Sequence, residues 1–223
     1  MTTIKIDHYS DILCIWAYVS ERRVDELLVQ FGDQVEVDYH FFPVFGDAHG
    51  KIALNWQDRG GLKAYREHIT GIAESHPHLH IHDRLWIQPT PTSSLPCHLY
   101  LCAARLLEEK HLIAPGSFRT FLKALRQSFF SENSDISKHS VLQEIIEHAS
   151  LPIPLLLETI EDGHAFAALA HDMQMAQKLA IQSSPTLVFN ENRQRLTGNV
   201  GYKIIEANIN ELIEQPIDGQ SWC

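Results

Sequence analysis

One pattern near the start of the chain restricts the fold more than any other. Ile4-Lys5-Ile6-Asp7-His8-Tyr9 alternates apolar and polar side chains with the period of a strand, and Val24, Leu27, Leu28 and Phe31 recur with the period of a helix. Gly32-Asp33 stops that helix, and Val35-Glu36-Val37-Asp38-Tyr39-His40-Phe41-Phe42 alternates again before Pro43. Strand, helix and strand with short joins predict a βαβ unit, with parallel strands and a right-handed crossover.

The pattern then changes. Residues 44 to about 60 contain Gly46, Gly50, Gly60 and Gly61 without a clear period and read as loop with a short helix. From there to about residue 180 the chain reads as helical nearly throughout. Leu99, Ala103, Leu106 and Leu107 form one apolar stripe, Phe118, Phe121, Leu122, Leu125 and Phe129 a second, and Val141, Leu142, Ile145 and Ile146 a third. Pro152 and Pro154 open a short helix, and Gly163 separates it from a long one. Strand chemistry returns at Pro185–Asn190, followed by a turn at Glu191-Asn192 and a strand over Arg193–Leu196, which together read as a hairpin. A last amphipathic helix carries Ile205, Ile209, Leu212 and Ile213, and the tail from Pro216 reads as loose.

Composition narrows the function classes. With 44% hydrophobic and 21% charged residues the chain reads as globular, not disordered. A formal net charge of −10 argues against nucleic acid or an anionic membrane as partner, since binding phosphate takes clustered Lys and Arg. No apolar run reaches the length of a membrane span, and the start of the chain lacks a basic segment followed by an apolar one, so a cytoplasmic location is expected. Cys14, Cys97, Cys102 and Cys223 make no CxxC pair, zinc set or disulfide framework and should rest as thiols.

Cys14 is the candidate for chemistry. It sits where the first strand gives way to the first helix, among unpaired backbone N–H groups at the positive end of the helix dipole. Both features favour a thiolate, so the thiol pKa is expected to fall. Asp11 reads as a cap for that helix, with proton handling as the other option. Trp16 reads as a rim of the site and Tyr18 as packing. Asn199, ahead of the last helix, is a candidate for holding a carboxylate, against plain capping. His76, His78, His80 and His82, spaced by two, would share a face of an extended segment and could bind zinc or copper, but four ligands from one stretch are not expected to make a structural site. Cys97 and Cys102 read as packing residues, with resolution of Cys14 from the insertion as the other option for Cys97, and Cys223 as a poor functional candidate.

Without the helical segment the order is β-α-β-α-β-β-α, which resembles the thioredoxin arrangement. Two distant stretches carry the resemblance: Cys14-Ile15-Trp16-Ala17 at the start of the first helix, and Ser184-Pro185-Thr186 before a strand, similar to the family's cis-proline loop. With a helical insertion, the chain resembles the DsbA-like branch, including FrnE-type oxidoreductases and the group of kappa-class glutathione transferase and 2-hydroxychromene-2-carboxylate isomerase. The resemblance implies an α/β thioredoxin fold, its core from residues 1–45 and 165–215 and a helical insertion over 46–164. It also implies that Cys14 is the nucleophile and that Trp16, Ser184, Pro185 and Asn199 contact substrate or glutathione. In this chain Ala17 replaces the pair's second cysteine, and a lone thiol cannot release an attacked partner by closing on itself.

The expected activity is therefore monothiol exchange, with glutathione as co-substrate and no metal or nucleotide cofactor. The expected partners are glutathione or a small disulfide or peptide thiol, and a homodimer is compatible with the sequence. Two alternatives stand beside it: a transferase or isomerase in which Cys14 activates glutathione, and a peptide-binding module that has lost its chemistry with the second cysteine.

Overall fold

The computed structural model describes residues 3–214; Cys223 and the tail from Pro216 lie outside the described residues. Strand β1 (Ile4–Ser10), helix α1 (Ile15–Phe31) and strand β2 (Val35–Phe41) form the expected βαβ unit, with β1 and β2 parallel. Helices α2 (Ala48–Trp56), α3 (Gly61–Glu74), α4 (Leu95–Glu109), α5 (Ser117–Phe130), α6 (His139–His148), α7 (Ile153–Glu161) and α8 (His164–Lys178) follow. The chain closes with β3 (Thr186–Phe189), β4 (Gln194–Thr197) and α9 (Tyr202–Glu214). The sheet runs β2-β1-β3-β4, with β3 antiparallel to both β1 and β4. This is the DsbA-like thioredoxin fold that the element order led us to expect.

Alternation along the strands decides what covers each face. Ile4 and Ile6 of β1 meet Leu27 and Phe31 of α1 and Ile205, Ile209 and Leu212 of α9 on one side. Tyr9 and Val188 meet Ala176 of α8 on the other. The turn from α1 to β2 needs Gly32, which adopts a φ of +51° while its N–H bonds the Leu28 carbonyl.

The largest apolar cluster lies outside the sheet. Helix α4 is buried nearly all round, at Cys97, His98, Tyr100, Leu101, Cys102, Ala103, Ala104 and Leu107. It is enclosed by α5, α7 and α8, so its apolar surface is far wider than the expected stripe. Truncating a fully buried side chain there, such as Leu101→Ala, costs about 2–5 kcal/mol in lost transfer energy and cavity formation. Ile12, Leu13, Cys14 and Ile15 belong to this same cluster, so the start of α1 is sealed by the helical segment.

The short helix expected within residues 44 to 60 is α2, started by Asp47, whose carboxylate accepts the Gly50 N–H at 2.9 Å. Two other expectations are corrected. Residues 75–94, read as part of the helical stretch, are turns and coil. Pro77, Pro89 and Pro91 deny that stretch helical N–H donors, and the Gln88–Pro89 bond is cis. The hairpin turn also spans Asn190, Glu191 and Asn192, all at positive φ, which delays β4 to Gln194.

The edge strand β2 is tied down by charge. Asp172 of α8 accepts the Phe41 N–H at 3.0 Å and pairs with His40 Nδ1 at 2.8 Å. The Arg105 guanidinium of α4 reaches both Asp172 oxygens, at 3.1 and 3.2 Å, and also donates to the Tyr39 carbonyl. Burial alone would lower the His40 pKa, but hydrogen bonds to Asp172 and Asp7 outweigh it and hold it up at about 9.

Candidate functional site

The thiol of Cys14 stands at the N-cap of α1, in extended backbone with φ −81° and ψ 118°. Its Sγ donates to the Ser184 carbonyl at 3.2 Å across 170 residues of sequence. The Ser184–Pro185 peptide bond is cis, and the Pro185 carbonyl accepts the Gly198 N–H at 2.8 Å, which fastens this loop to the segment before α9. The structure thus brings Cys14, Ser184 and Pro185 together.

Asp11 does not cap α1, because the cap position is Cys14 and no side chain bonds there. The Asp11 carboxylate, fully buried, faces inward instead. Its Oδ1 accepts the Leu13 N–H at 2.8 Å, and its Oδ2 accepts the Phe45 N–H at 2.8 Å and the Ser94 hydroxyl at 2.7 Å. The Asp11 N–H donates to Ser184 Oγ at 2.9 Å. One residue therefore joins the thiol loop, the β2–α2 loop, the start of α4 and the proline loop.

His98 completes this shell, and sequence reasoning missed it. Its Nε2 accepts the Ile12 N–H at 3.1 Å, which makes the ring a neutral imidazole there. Burial pushes its pKa down, against the upward pull of Asp11 and Asp172. Tyr65 of α3 was missed as well. Burial, with the Asp11 charge nearby and Cys14 once it ionises, holds its hydroxyl pKa well above the usual range. Apolar periodicity carries no signal for either residue, because each is placed by long-range packing.

The expected fall in the Cys14 pKa is overturned. Only 8% of the residue is exposed, and burial drives the pKa upward. The Ser184 side chain and the N–H groups of Ala17 and Trp16 pull the other way, while the Asp11 charge adds to the rise. Donation to the Ser184 carbonyl also favours the protonated form. The thiol rests protonated, and it occupies the Ser184 carbonyl itself.

The other sequence candidates are placed as follows. Ala17 is fully buried, one turn along from the thiol, with its N–H on the Cys14 carbonyl. Trp16 is half-buried, its ring edge-on to His76 at 6.0 Å. Tyr18 stacks on Phe130 at 4.7 Å. Asn199 is exposed and accepts from Arg23, so it belongs with the outer face of α1 and not with the thiol's partners. Cys97 donates to the Ile136 carbonyl at 2.8 Å, and Cys102 lies 3.8 Å from Asp172, both buried in α4. The histidine stretch is not one extended face: His76 Nδ1 bonds the Ile72 carbonyl, and His82 Nδ1 accepts the Arg84 N–H. Among the described residues no group of three or more His, Cys, Asp or Glu is arranged to hold a metal ion.

Comparison with known proteins adds a family. A family model described as Thioredoxin matches residues 9–215. The ClpXP adapter protein SpxH of Bacillus licheniformis is 31% identical over 107 residues, which are 45% of this chain. The match takes in 36% of SpxH, so the chain spans little more than a third of that curated relative. A candidate protein disulfide isomerase from Nitrosomonas europaea superimposes with a TM-score of 0.76 at 13% identity, covering 96% of this chain and 99% of that one. The cytosolic disulfide reductase DsbM from Pseudomonas aeruginosa, solved with GSH, superimposes with a TM-score of 0.64 at 17% identity, covering 95% and 98%. At these identities the two structures share the fold with this chain.

Proposed function

This chain belongs to the thioredoxin family, and we propose that its work there is monothiol thiol–disulfide exchange, with Cys14 as the attacking sulfur and glutathione as the resolving thiol. The observation that carries the reading is the lone Cys14 Sγ held 3.2 Å from the carbonyl that precedes a cis proline, with Ala17 where a resolving cysteine would stand. In the first step the Cys14 thiol gives up its proton and attacks the disulfide of a glutathionylated partner, forming a Cys14–glutathione disulfide and releasing the partner's thiolate. In the second, glutathione thiolate attacks that disulfide, returning Cys14 and forming oxidised glutathione. In sum, one free glutathione is consumed: the partner–glutathione disulfide becomes the partner's thiol, which takes up the proton that the glutathione thiol loses, and the two glutathiones leave as the oxidised form with Cys14 regenerated. An incoming sulfur must displace the thiol from the Ser184 carbonyl, which then becomes free to pair with the backbone of a bound peptide. A fold neighbour named as a disulfide reductase and solved with GSH supports the choice of co-substrate.

The test is a mass measurement after treatment with oxidised glutathione, followed by turnover of a glutathionylated peptide in the presence of glutathione. The wild type should gain one glutathione on Cys14 and turn over; Cys14→Ser should do neither. No adduct on the wild type would end this reading.

A second reading has its own support. The thiol is buried and held protonated, and the curated relative is named as a ClpXP adapter. A peptide-docking protein without turnover would bind partners equally well as Cys14→Ser, which the first reading does not allow for a mixed-disulfide partner.

A further inference from the structure

The outer face of α1 carries a groove of about 330 Å³, walled by Arg22 and Arg23 of α1, His78 of the α3–α4 connection, and Tyr202 and Lys203 of α9. Arg22, Arg23 and Lys203 are its cations. Arg22 is exposed and takes part in no ion pair among the described residues, and Arg23 donates to the neutral Asn199 side chain. The pKa of His78 is lowered, by burial first and then by the nearby charges of Arg22, His76 and Arg23. Glu26 lies on the same wall, one turn along α1 from Arg22, and Glu206 is engaged by Lys203 at 2.6 Å and by Gln30 at 2.7 Å. In a chain of net charge −10, Arg22 and Arg23 thus make no ion pair with a carboxylate among the described residues.

Two ring contacts lead from the groove towards the thiol. His78 meets His76 at 5.9 Å, and His76 meets Trp16 at 6.0 Å. Along the helix, Arg22 is about 12 Å from Cys14, at roughly 1.5 Å per residue. We propose that this groove docks an acidic segment of a polypeptide partner, its carboxylates seated between Arg22, Arg23 and His78. The chemistry fits a peptide better than one small anion, because the cations are spread along a trough lined also by Val19 and the Tyr202 ring. The docking needs no covalent step, so it stands whether Cys14 exchanges disulfides or not.

The test uses a fluorescein-labelled peptide rich in glutamate and lacking cysteine, with a glutamine-substituted peptide as control, read by fluorescence anisotropy on the full chain. The acidic peptide should bind, the control should not, and affinity should fall as salt is raised. Arg22→Glu together with Arg23→Glu should weaken binding tenfold or more, while Cys14→Ser leaves it unchanged. Thermal unfolding of each variant separates lost binding from lost fold, and the milder His78→Ser, on an exposed connection, gives an independent reading of several-fold weakening. Equal binding of the two peptides, equal binding by the charge-reversed variant, or no binding of the acidic peptide at low salt overturns the proposal.

Discussion

A cysteine at a helix start feels two opposed influences, and Cys14 shows which is larger here. Nearby N–H groups favour the thiolate, but loss of water around the sulfur favours the thiol, and the second prevails. Cys14 should therefore be alkylated at neutral pH more slowly than a free cysteine, with the midpoint of its pH–rate curve above that of an ordinary thiol; a midpoint below it would refute the burial argument. Ser184→Ala tests the neighbouring bond. Without its Oγ the Asp11 N–H has no acceptor, which should cost about 1–3 kcal/mol by denaturant midpoint. The meeting of Cys14 with the Ser184–Pro185 loop was legible in the sequence, because both stretches carry recognisable residues. The thiol's protonation state was not, because it depends on α3, α4 and α5 closing over a segment far away in sequence. Asp11 was misread for the same reason: its partners, Phe45 and Ser94, come from loops that no local pattern links to it.

At the scale of elements, the link between sheet and insertion is the Asp172 carboxylate. It neutralises Arg105, holds His40 and accepts from the β2 backbone, so α4, α8 and the sheet edge share one charge. Asp172→Ala would strand a buried guanidinium and an N–H together. A loss of about 3–5 kcal/mol is expected, read from the shift of the urea midpoint, whereas Glu109→Ala, an exposed partner of Arg105 at 3.9 Å, should change little. The periodicities of α1, α5, α6 and α9 were readable because each has one dry face. Helix α4 was only partly readable: enclosed nearly all round, it keeps its polar side chains near its C-terminal end, where they mark little of its phase. The coil over residues 75–94 was lost among helical stretches, although its prolines were the available signal.

For the whole molecule, two histidines on neighbouring strands set opposite limbs of the pH–stability curve. His8 of β1 is 1% exposed, and neither ring nitrogen has a hydrogen-bond partner among the described residues. Burial, then the charges of Arg126 and His40, lowers its pKa to about 3. Between its ordinary value near 6.5 and about 3, the unfolded chain takes up a proton that the folded chain refuses, so stability falls as the pH drops through that window. His40 acts in the other sense. Folded, it keeps its proton up to about 9, so its contribution is complete below 6.5 and is lost as the pH rises through 9. At about 1.4 kcal/mol for each pKa unit, either limb is worth at most a few kcal/mol. Stability should therefore peak near pH 6.5, the ordinary value that both windows share. Urea midpoints across the range provide the check, and two variants assign the limbs. His8→Leu removes two unpartnered polar atoms and should flatten the acid limb with little loss at the peak, while His40→Gln should flatten the alkaline limb and lower the peak. If His8→Leu left the acid limb as steep as before, the carboxylates would be responsible for it, and the buried ring of His8 would have no part in the acid sensitivity of the fold.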